Sequence, residues 1–414
     1  MIRASFLFRP AVHYFPMKIR RRVFVFFLLI APLVLSVAGG STDKPAANCK
    51  YLVFVGTYTT KTESKGIYSL DFDADTGKLT PKGVAVETPD PSWVAVHPDG
   101  KFLYAVNEAG KSSMVSAFAL EPKTGNLSLL NQLPALGEDP CYISFDRTGK
   151  YTFVANYTSG NVVVFPIGAD GKLGAATANV RDEGKVGPNK ERQEAPHAHW
   201  IEPSLDNRSV YVADLGLDRV LRYGFDATKG TLLTAPVKSD FSHSVLDLSA
   251  KLAQGTGPRH VAFSHNGVKM YVLGELQSTV TAFHMIGTDD FVPTSFQKIA
   301  ALPKGFSGRN DAAEIALHPS GKFLYTSNRG NDTIAVFNVQ RRGGRLNLAA
   351  NVPTGGKEPR HFAIDPTGKY LLAENQFSNN IVIFKIDAAT GGLTPTGQVV
   401  EVPSPVDLTF VAAE

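Results

Sequence analysis

A pattern of two short strands recurs six times along the chain and limits the folds that the chain can adopt. The copy PRHVAFSHNGVKMYVLGE contains two apolar segments joined by the polar turn His265-Asn266-Gly267, as in a β-hairpin. The copies begin, at steps of 49, 56, 62, 54 and 47 residues, at Pro91, Pro140, Pro196, Pro258, Ala312 and Pro359. Short strands repeated with a period near 50 residues predict a β-propeller with one four-stranded blade per repeat.

The two ends of the chain carry the two parts of a seventh repeat. Residues 404–410, SPVDLTF, resemble the first strand of a repeat, and residues 50–57, KYLVFVGT, match a second strand when aligned with residues 101–108. Pairing these segments would leave no open sheet edge. We therefore expect an all-β fold in which residues 41–414 form a single seven-bladed propeller. Residues 406–411 should provide the innermost strand of the blade that residues 51–86 complete.

The first forty residues are expected to be a secretory signal peptide. The basic cluster Lys18-Ile19-Arg20-Arg21-Arg22 precedes an apolar run over residues 23–35 and the small residues SVAGG at 36–40. Met17 stands just before the cluster, so residues 1–16 are interpreted as a possible start-site artefact. The alternative is an uncleaved membrane anchor. We expect cleavage near residues 38–41, a periplasmic or secreted protein, and no membrane contact beyond the signal.

The charge of the mature chain argues against a nucleic-acid partner. The full chain has 42 basic and 38 acidic residues, and removal of residues 1–38 deletes six basic residues, which leaves 36 against 38 and a net charge of −2. Cys49 and Cys141 map to opposite ends of strands and are not expected to pair. No zinc-site spacing, Walker loop or GxGxxG motif is present, so we expect neither a metal nor a cofactor. A monomer is expected.

Strand parity places one set of polar residues on a single rim of the propeller, here called the top, where first strands start and second strands end. Long connections over residues 174–195 and 234–257 should lie above the same rim, where binding sites are common. Residues 291–311 are expected to cover a degenerate fourth strand and a similar connection. The candidate catalytic residues are His197, Arg259, Glu275 and Arg329, and the candidate substrate-binding residues are Gln376, Arg360 and Glu108.

Arginines and an imidazole in a concave mouth suit a small anionic substrate. Structural interpretations stay open for these residues, because His197 could cap a strand and Arg259 with Glu275 could form a structural ion pair. His199, two residues after His197, is assigned a structural role. Four further polar residues fall in the turns at the opposite, lower rim and are also expected to be structural, namely His97, Asp146, His318 and Asp365.

The chain after residue 40 resembles the seven-bladed β-propeller lactonases, a family that includes 6-phosphogluconolactonases and carboxy-cis,cis-muconate cyclases. The resemblance is carried by Val55-Gly56-Thr57-Tyr58, Gly257-Pro258-Arg259-His260, Glu275-Leu276, residues 324–329 (LYTSNR) and Pro359-Arg360-His361-Phe362. It implies hydrolysis of a small anionic sugar lactone, with His197 or Glu275 as the base and Arg259 and Arg329 binding the anion. The alternatives are a lactone-forming, muconate cyclase-like enzyme and an exported propeller that binds a ligand or protein without turnover.

Overall fold

The computed structural model describes residues 50–233, 248–285 and 293–413, which all belong to the unit Ala47–Glu414. The expected signal peptide and Cys49 lie outside the described residues. Within the described ranges, no helix has the length and apolar character needed to cross a membrane.

Twenty-nine strands account for most of the described chain, and they fall into seven consecutive groups. The chain begins with β1 (Lys50–Thr57), β2 (Gly66–Asp73) and β3 (Lys78–Glu87). The first two complete repeats form β4 (Pro91–Val96), β5 (Phe102–Asn107), β6 (Met114–Leu120), β7 (Leu127–Pro134), β8 (Pro140–Phe145), β9 (Tyr151–Asn156), β10 (Asn161–Pro166) and β11 (Ala178–Arg181). The third and fourth repeats form β12 (Ala198–Pro203), β13 (Ser209–Asp214), β14 (Arg219–Asp226), β15 (Thr231–Leu233), β16 (Ala250–Lys251), β17 (Pro258–Phe263), β18 (Lys269–Gly274), β19 (Thr279–His284) and β20 (Thr294–Ala300).

The remaining strands complete the ring. They are β21 (Asp311–Leu317), β22 (Phe323–Arg329), β23 (Thr333–Val339), β24 (Leu346–Pro353), β25 (Pro359–Ile364), β26 (Tyr370–Asn375), β27 (Asn380–Ile386), β28 (Leu393–Glu401) and β29 (Pro405–Ala412). Two 3₁₀ turns, Gly110–Ser112 and Gln376–Ser378, follow second strands.

Seven sheets result, one per repeat, and each contains four consecutive antiparallel strands except where the ends of the chain meet. In that blade the order is β29-β1-β2-β3, and Tyr51 pairs with Ala412. Val406 and Leu408 of β29 are buried. The seven-bladed propeller and its closure by the two chain ends are therefore confirmed. The third blade has an added edge strand, because β16 pairs with β14.

The core consists of apolar residues at the faces where neighbouring blades pack. One cluster, for example, joins Val53 and Leu408 of the closing blade to Leu372 and Ile383 of the sixth blade. The burial of such clusters supplies the main favourable free energy of folding.

Lower-rim turns connect neighbouring blades through hydrogen bonds. His97 Nε2 contacts the carbonyl oxygen of Gly149 at 2.8 Å, and His318 Nε2 contacts that of Gly368 at the same distance. Asp146 and Asp365 each accept hydrogen bonds from a backbone N–H two residues ahead in their own turn. The four lower-rim residues assigned to structure therefore have the contacts of turn residues.

One expected connection needs correction. Residues 174–195 were predicted to lie entirely between a fourth strand and the next first strand, but the fourth strand itself, β11, lies within them. Its four residues, ANVR, are too few for the longer pattern seen in fourth strands such as β7 and β24. The connection above the top rim is consequently shorter, covering residues 182–197.

Candidate active site

Each blade contributes two equivalent positions at the top rim. The first is the residue after the start of the innermost strand, and the second is the residue that follows or ends the second strand. Strand register defines the inner set as Ser92, Cys141, His199, Arg259, Ala313, Arg360 and Val406. Register and the backbone hydrogen bonds between strands define the outer set as Tyr58, Glu108, Tyr157, Leu215, Glu275, Arg329 and Gln376.

Two positions in this ring differ from the expectation. In the third blade Ala198 pairs with Asp214 as Pro258 pairs with Gly274, so His199, and not His197, is equivalent to Arg259. The repeat in that blade is two residues longer, and both extra residues precede the strand.

In the closing blade, the backbone N–H of Tyr58 donates to the carbonyl oxygen of Ser404. The backbone N–H of Glu108 donates in the same way to the carbonyl oxygen of Asp90. The alignment of residues 50–57 with residues 101–108 predicts Thr57 at this position, but the rim residue is Tyr58. The register of β1 against β29 shifts between Gly56 and Thr57, and alignment to another repeat cannot detect a local bulge of this kind.

Glu275 is at the centre of a buried cluster of arginines. Its Oε1 accepts a hydrogen bond of 2.6 Å from Arg192 Nη2. Its Oε2 lies 3.2 Å from Arg259 Nε and 3.3 Å from Arg329 Nη2. The side chains of Glu275 and Arg259 are each only 3% exposed, so solvent screens these charges weakly. One carboxylate thus faces three guanidinium groups, and the cluster retains a net positive charge.

The arginines determine the protonation of Glu275. Burial alone would raise its pKa, but the charges of Arg329, Arg259 and Arg192 outweigh burial and hold the pKa well below its usual range. Both carboxylate oxygens are also occupied by contacts with guanidinium groups. Glu275 is therefore better suited to orient the arginines than to activate water.

Arg192 was missed by the sequence reasoning because it lies in a connection and not in a repeat. The loop that carries it is anchored by Gln193, whose side chain donates to the carbonyl oxygen of Leu215 and to Asp218, each at 2.9 Å. The loop also passes close to Gly216, where an added Cβ would lie 1.8 Å from the carbonyl oxygen of Ala195. The inserted connection therefore completes the arginine cluster.

His197 lies beside the cluster, not in it. Its ring stacks on Tyr157 with centroids 4.5 Å apart, and Arg192 Nη2 donates to the Tyr157 hydroxyl. Its Nδ1 lies 3.0 Å from the carbonyl oxygen of Tyr157, and its Nε2 lies 3.1 Å from Glu194 Oε1. Both ring nitrogens therefore lie within hydrogen-bonding distance of an oxygen atom.

His199 occupies the position predicted for His197. Its ring packs edge-on against Tyr157 and His260, and its Nδ1 forms no hydrogen bond to any described residue. Burial, and then the charge of Arg259, hold its pKa well below the usual value for histidine. The imidazole is therefore neutral near pH 7.

Arg360, Glu108 and Gln376 occupy the other side of the mouth. Tyr58 links two of them, because its hydroxyl donates to Glu108 Oε2 at 2.7 Å and accepts from Arg360 Nη2 at 2.9 Å. Tyr58, Glu108 and Gln376 also line an open cleft of about 1060 Å³. The three expected substrate-binding residues thus lie at one part of the rim, beside a cleft large enough for a small molecule.

Below the arginine cluster, titratable side chains from the innermost strands fill the channel. His260 Nδ1 lies 2.7 Å from Glu314 Oε2, and His361 Nε2 lies 3.9 Å from the same oxygen and 3.5 Å from Asp407 Oδ1. Trp93 packs edge-on against both histidines. Within residues 50–233, 248–285 and 293–413, no group of three or more His, Cys, Asp or Glu side chains is arranged to hold a metal ion.

Comparison with known proteins assigns this chain to a family. A model described as "Lactonase, 7-bladed beta-propeller" matches residues 52–410. The chain belongs to this family. It is 35% identical over 367 residues to a 6-phosphogluconolactonase from Bacillus subtilis, covering 87% of this chain and 99% of that protein. It is 33% identical over 319 residues to a 6-phosphogluconolactonase from Formosa agariphila, covering 75% of this chain and 85% of that protein.

A solved structure of a lactonase is also similar to this chain. The periplasmic gluconolactonase from Pseudomonas aeruginosa matches with a TM-score of 0.80 at 32% identity, covering 88% of this chain and 100% of that one. The expected 6-phosphogluconolactonase-like lactonase is thereby confirmed. The muconate cyclase alternative and the roles of individual site residues stay predictions.

Proposed function

We propose that the chain hydrolyses a small sugar lactone bearing an anionic group, at the top mouth of its channel. The observation that carries the proposal is the convergence of Arg192, Arg259 and Arg329 on one buried carboxylate, with Arg360 at the same rim. Hydrolysis places negative charge on the carbonyl oxygen during attack and on the carboxylate of the product. A pre-organised cluster with an excess of guanidinium groups stabilises both.

In this proposal the base is His199, and not His197 or Glu275. Water attacks the lactone carbonyl and its proton passes to the unprotonated nitrogen of the neutral His199 ring. The ring C–O bond then breaks, the proton returns to the departing alkoxide, and the product is a hydroxy acid that ionises. Glu275 keeps the arginines in place, and His197 supports Tyr157 from behind.

Steady-state kinetics on a panel of lactones test the proposal. Gluconolactone, 6-phosphogluconolactone and a muconolactone should be compared for wild type, Arg329→Gln and His199→Gln. Loss of one charge-stabilising donor costs on the order of 2–4 kcal/mol in transition-state binding, so Arg329→Gln should lower kcat/KM at least tenfold. Arg341→Gln is the matched control, because Arg341 is exposed in a lower-rim turn. Absence of turnover on every lactone, or equal turnover by Arg329→Gln, would contradict the proposal.

His197→Ala decides between the two histidines. If His199 is the base, His199→Gln should reduce kcat much more than His197→Ala, which should mainly weaken the packing of Tyr157. The opposite order of effects would return the role of base to His197.

We also propose that residues 1–40 direct export and are removed. The basic, apolar and small-residue segments support this, as does the similarity to a periplasmic gluconolactonase. Cell fractionation followed by N-terminal sequencing should find a mature protein that begins near residues 38–41. A cytosolic protein that retains Met17 would contradict export.

A further inference from the structure

Arg259, on the innermost strand of the fourth blade, contacts a buried histidine that in turn contacts a buried carboxylate. Arg259 Nη1 lies 3.3 Å from His260 Nε2 and also donates to the carbonyl oxygen of Ala313. On its other side, His260 Nδ1 lies 2.7 Å from Glu314 Oε2. The side chain of His260 is 1% exposed and that of Glu314 is 10% exposed.

These contacts assign the tautomer of His260. A guanidinium group only donates, so Nε2 must present its lone pair to Arg259. The proton then resides on Nδ1, where it is donated to Glu314. Burial, and then the charge of Arg259, keep the pKa of His260 well below its usual value, so the ring stays neutral and the lone pair stays available. Glu314 Oε1 accepts from the backbone N–H of Ile315 at 3.0 Å, which fixes the carboxylate in turn.

We propose that His260 and Glu314 are positioning residues that aim the Arg259 guanidinium at the mouth. The series Glu314–His260–Arg259–Glu275 runs without interruption from the channel interior to the arginine cluster. This inference rests on the proposed lactone hydrolysis, since Arg259 is the group through which both residues act. Neither residue reaches the top rim itself.

Glu314 is also the point at which pH can act on this series. It is faced by His260 and Arg259 from β17, by His361 from β25 and by Asp407 from β29. Burial raises its pKa to about 7 against the opposing charges of His361 and Arg259. Ionised Glu314 strengthens His260 as an acceptor, so kcat/KM should rise with pH through about 7.

Paired substitutions separate positioning from simple packing. Gln at position 260 can place an oxygen acceptor near the site of Nε2, whereas Leu cannot. We expect His260→Leu to lower kcat/KM at least tenfold and His260→Gln to stay within about threefold of wild type. Glu314→Gln keeps an acceptor for Nδ1–H but cannot ionise, so it should retain turnover and lose the rise in kcat/KM near pH 7.

The control is His318→Leu, which removes another buried histidine from a lower-rim turn and should leave kcat/KM unchanged. Equal losses in His260→Leu and His260→Gln, or no loss in His260→Leu, would overturn the proposal.

A measurement independent of turnover distinguishes failure of this inference from failure of the proposed function. NMR of the protein labelled with ¹⁵N-histidine, with His260→Gln used for assignment, reports the tautomer directly. The Nδ1–H tautomer of neutral His260 should persist from pH 6 to 8. An Nε2–H tautomer or an imidazolium in this range would overturn the inference even if lactones are hydrolysed. The expected tautomer in a protein that hydrolyses no lactone would refute only the proposed function.

Discussion

Replacement of Glu275 by Gln should destabilise the propeller severely, because it removes a negative charge that contacts Arg192, Arg259 and Arg329 together. The three guanidinium groups lie 2.6 to 3.3 Å from its carboxylate oxygens. Gln keeps the shape and one acceptor oxygen but not the charge. Arg259 and Arg329, with side chains 3% and 9% exposed, would then repel each other with little screening by solvent.

Removing one partner of a buried ion pair typically costs about 3–5 kcal/mol. Unfolding entropy of about 2.1 cal/mol/K per residue corresponds to ~0.8 kcal/mol per kelvin for a domain of this length, so Tm should fall by ~4–6 °C. Glu358→Gln is the matched control, because Glu358 is 24% exposed and its Oε1 lies 3.8 Å from a single arginine. The free energy of unfolding of that variant should fall by at most about 1 kcal/mol.

Differential scanning calorimetry and urea unfolding of both variants between pH 8 and pH 3 give the measurement. The pKa of Glu275 is depressed in the folded state, so its contribution is fully present above the unfolded pKa of about 4.3 and is lost as pH falls towards the folded value. The difference in free energy of unfolding between wild type and Glu275→Gln should therefore be constant from pH 8 to pH 6 and should shrink below about pH 4. A loss no greater than that of Glu358→Gln, or a difference that grows in acid, would refute the electrostatic reasoning.

Three further predictions concern the channel, the inserted loop and the closure. Burial, and then the charge of Glu374, raise the pKa of Asp407 to about 7 against the effect of His361, so its contribution to the free energy of unfolding is present below pH 4 and is lost as pH rises through 7. Urea unfolding of Asp407→Asn should therefore show a gain in stability relative to wild type between pH 5 and 8. A difference in unfolding free energy that does not change with pH would contradict this. Gly216→Ala should displace the loop that carries Arg192, lowering both Tm and kcat/KM, and crystallography should reveal the shift; unchanged kinetics would count against a role for that loop. Deletion of residues 404–414 removes β29 and should abolish cooperative unfolding, whereas calorimetric melting like that of the full-length protein would contradict the closure.

Much of the fold could be predicted because the blade is a repeated unit with strong local signals. Alternating apolar residues and polar turns define each pair of inner strands, and the incomplete repeats at the two ends are interpretable only as one blade. β11 was misplaced because an outer strand packs against fewer neighbours and needs a weaker pattern. Its sequence, ANVR, contains only one large apolar residue.

The candidate site could be predicted only in part. Strand parity placed Arg259, Glu275 and Arg329 on one rim, because those residues continue regular strands. It failed for His199 and Tyr58, where two extra residues or a bulge alter the register. The repeat that begins at Pro196 has 20 residues, whereas the others have 18, and this difference could have indicated that His199, and not His197, lies at the rim.

Arg192 shows a different limit. It lies in a connection whose path depends on tertiary contacts of Gln193 with Leu215 and Asp218. No local pattern in residues 182–195 indicates that one of its side chains reaches a carboxylate 83 positions further along the chain.

A crystal structure of the protein with the aldonate product of its best lactone would test the central claim most directly. Because the product carboxylate resembles the charge that develops during hydrolysis, we expect it within hydrogen-bonding distance of Arg259, Arg329 or Arg360, with its former carbonyl carbon next to His199. The lower channel offers an alternative cavity of about 420 Å³ beside Trp93, Tyr142 and Asp407. Product bound there, with none at the top rim, would contradict the assignment of the active site to the arginine cluster.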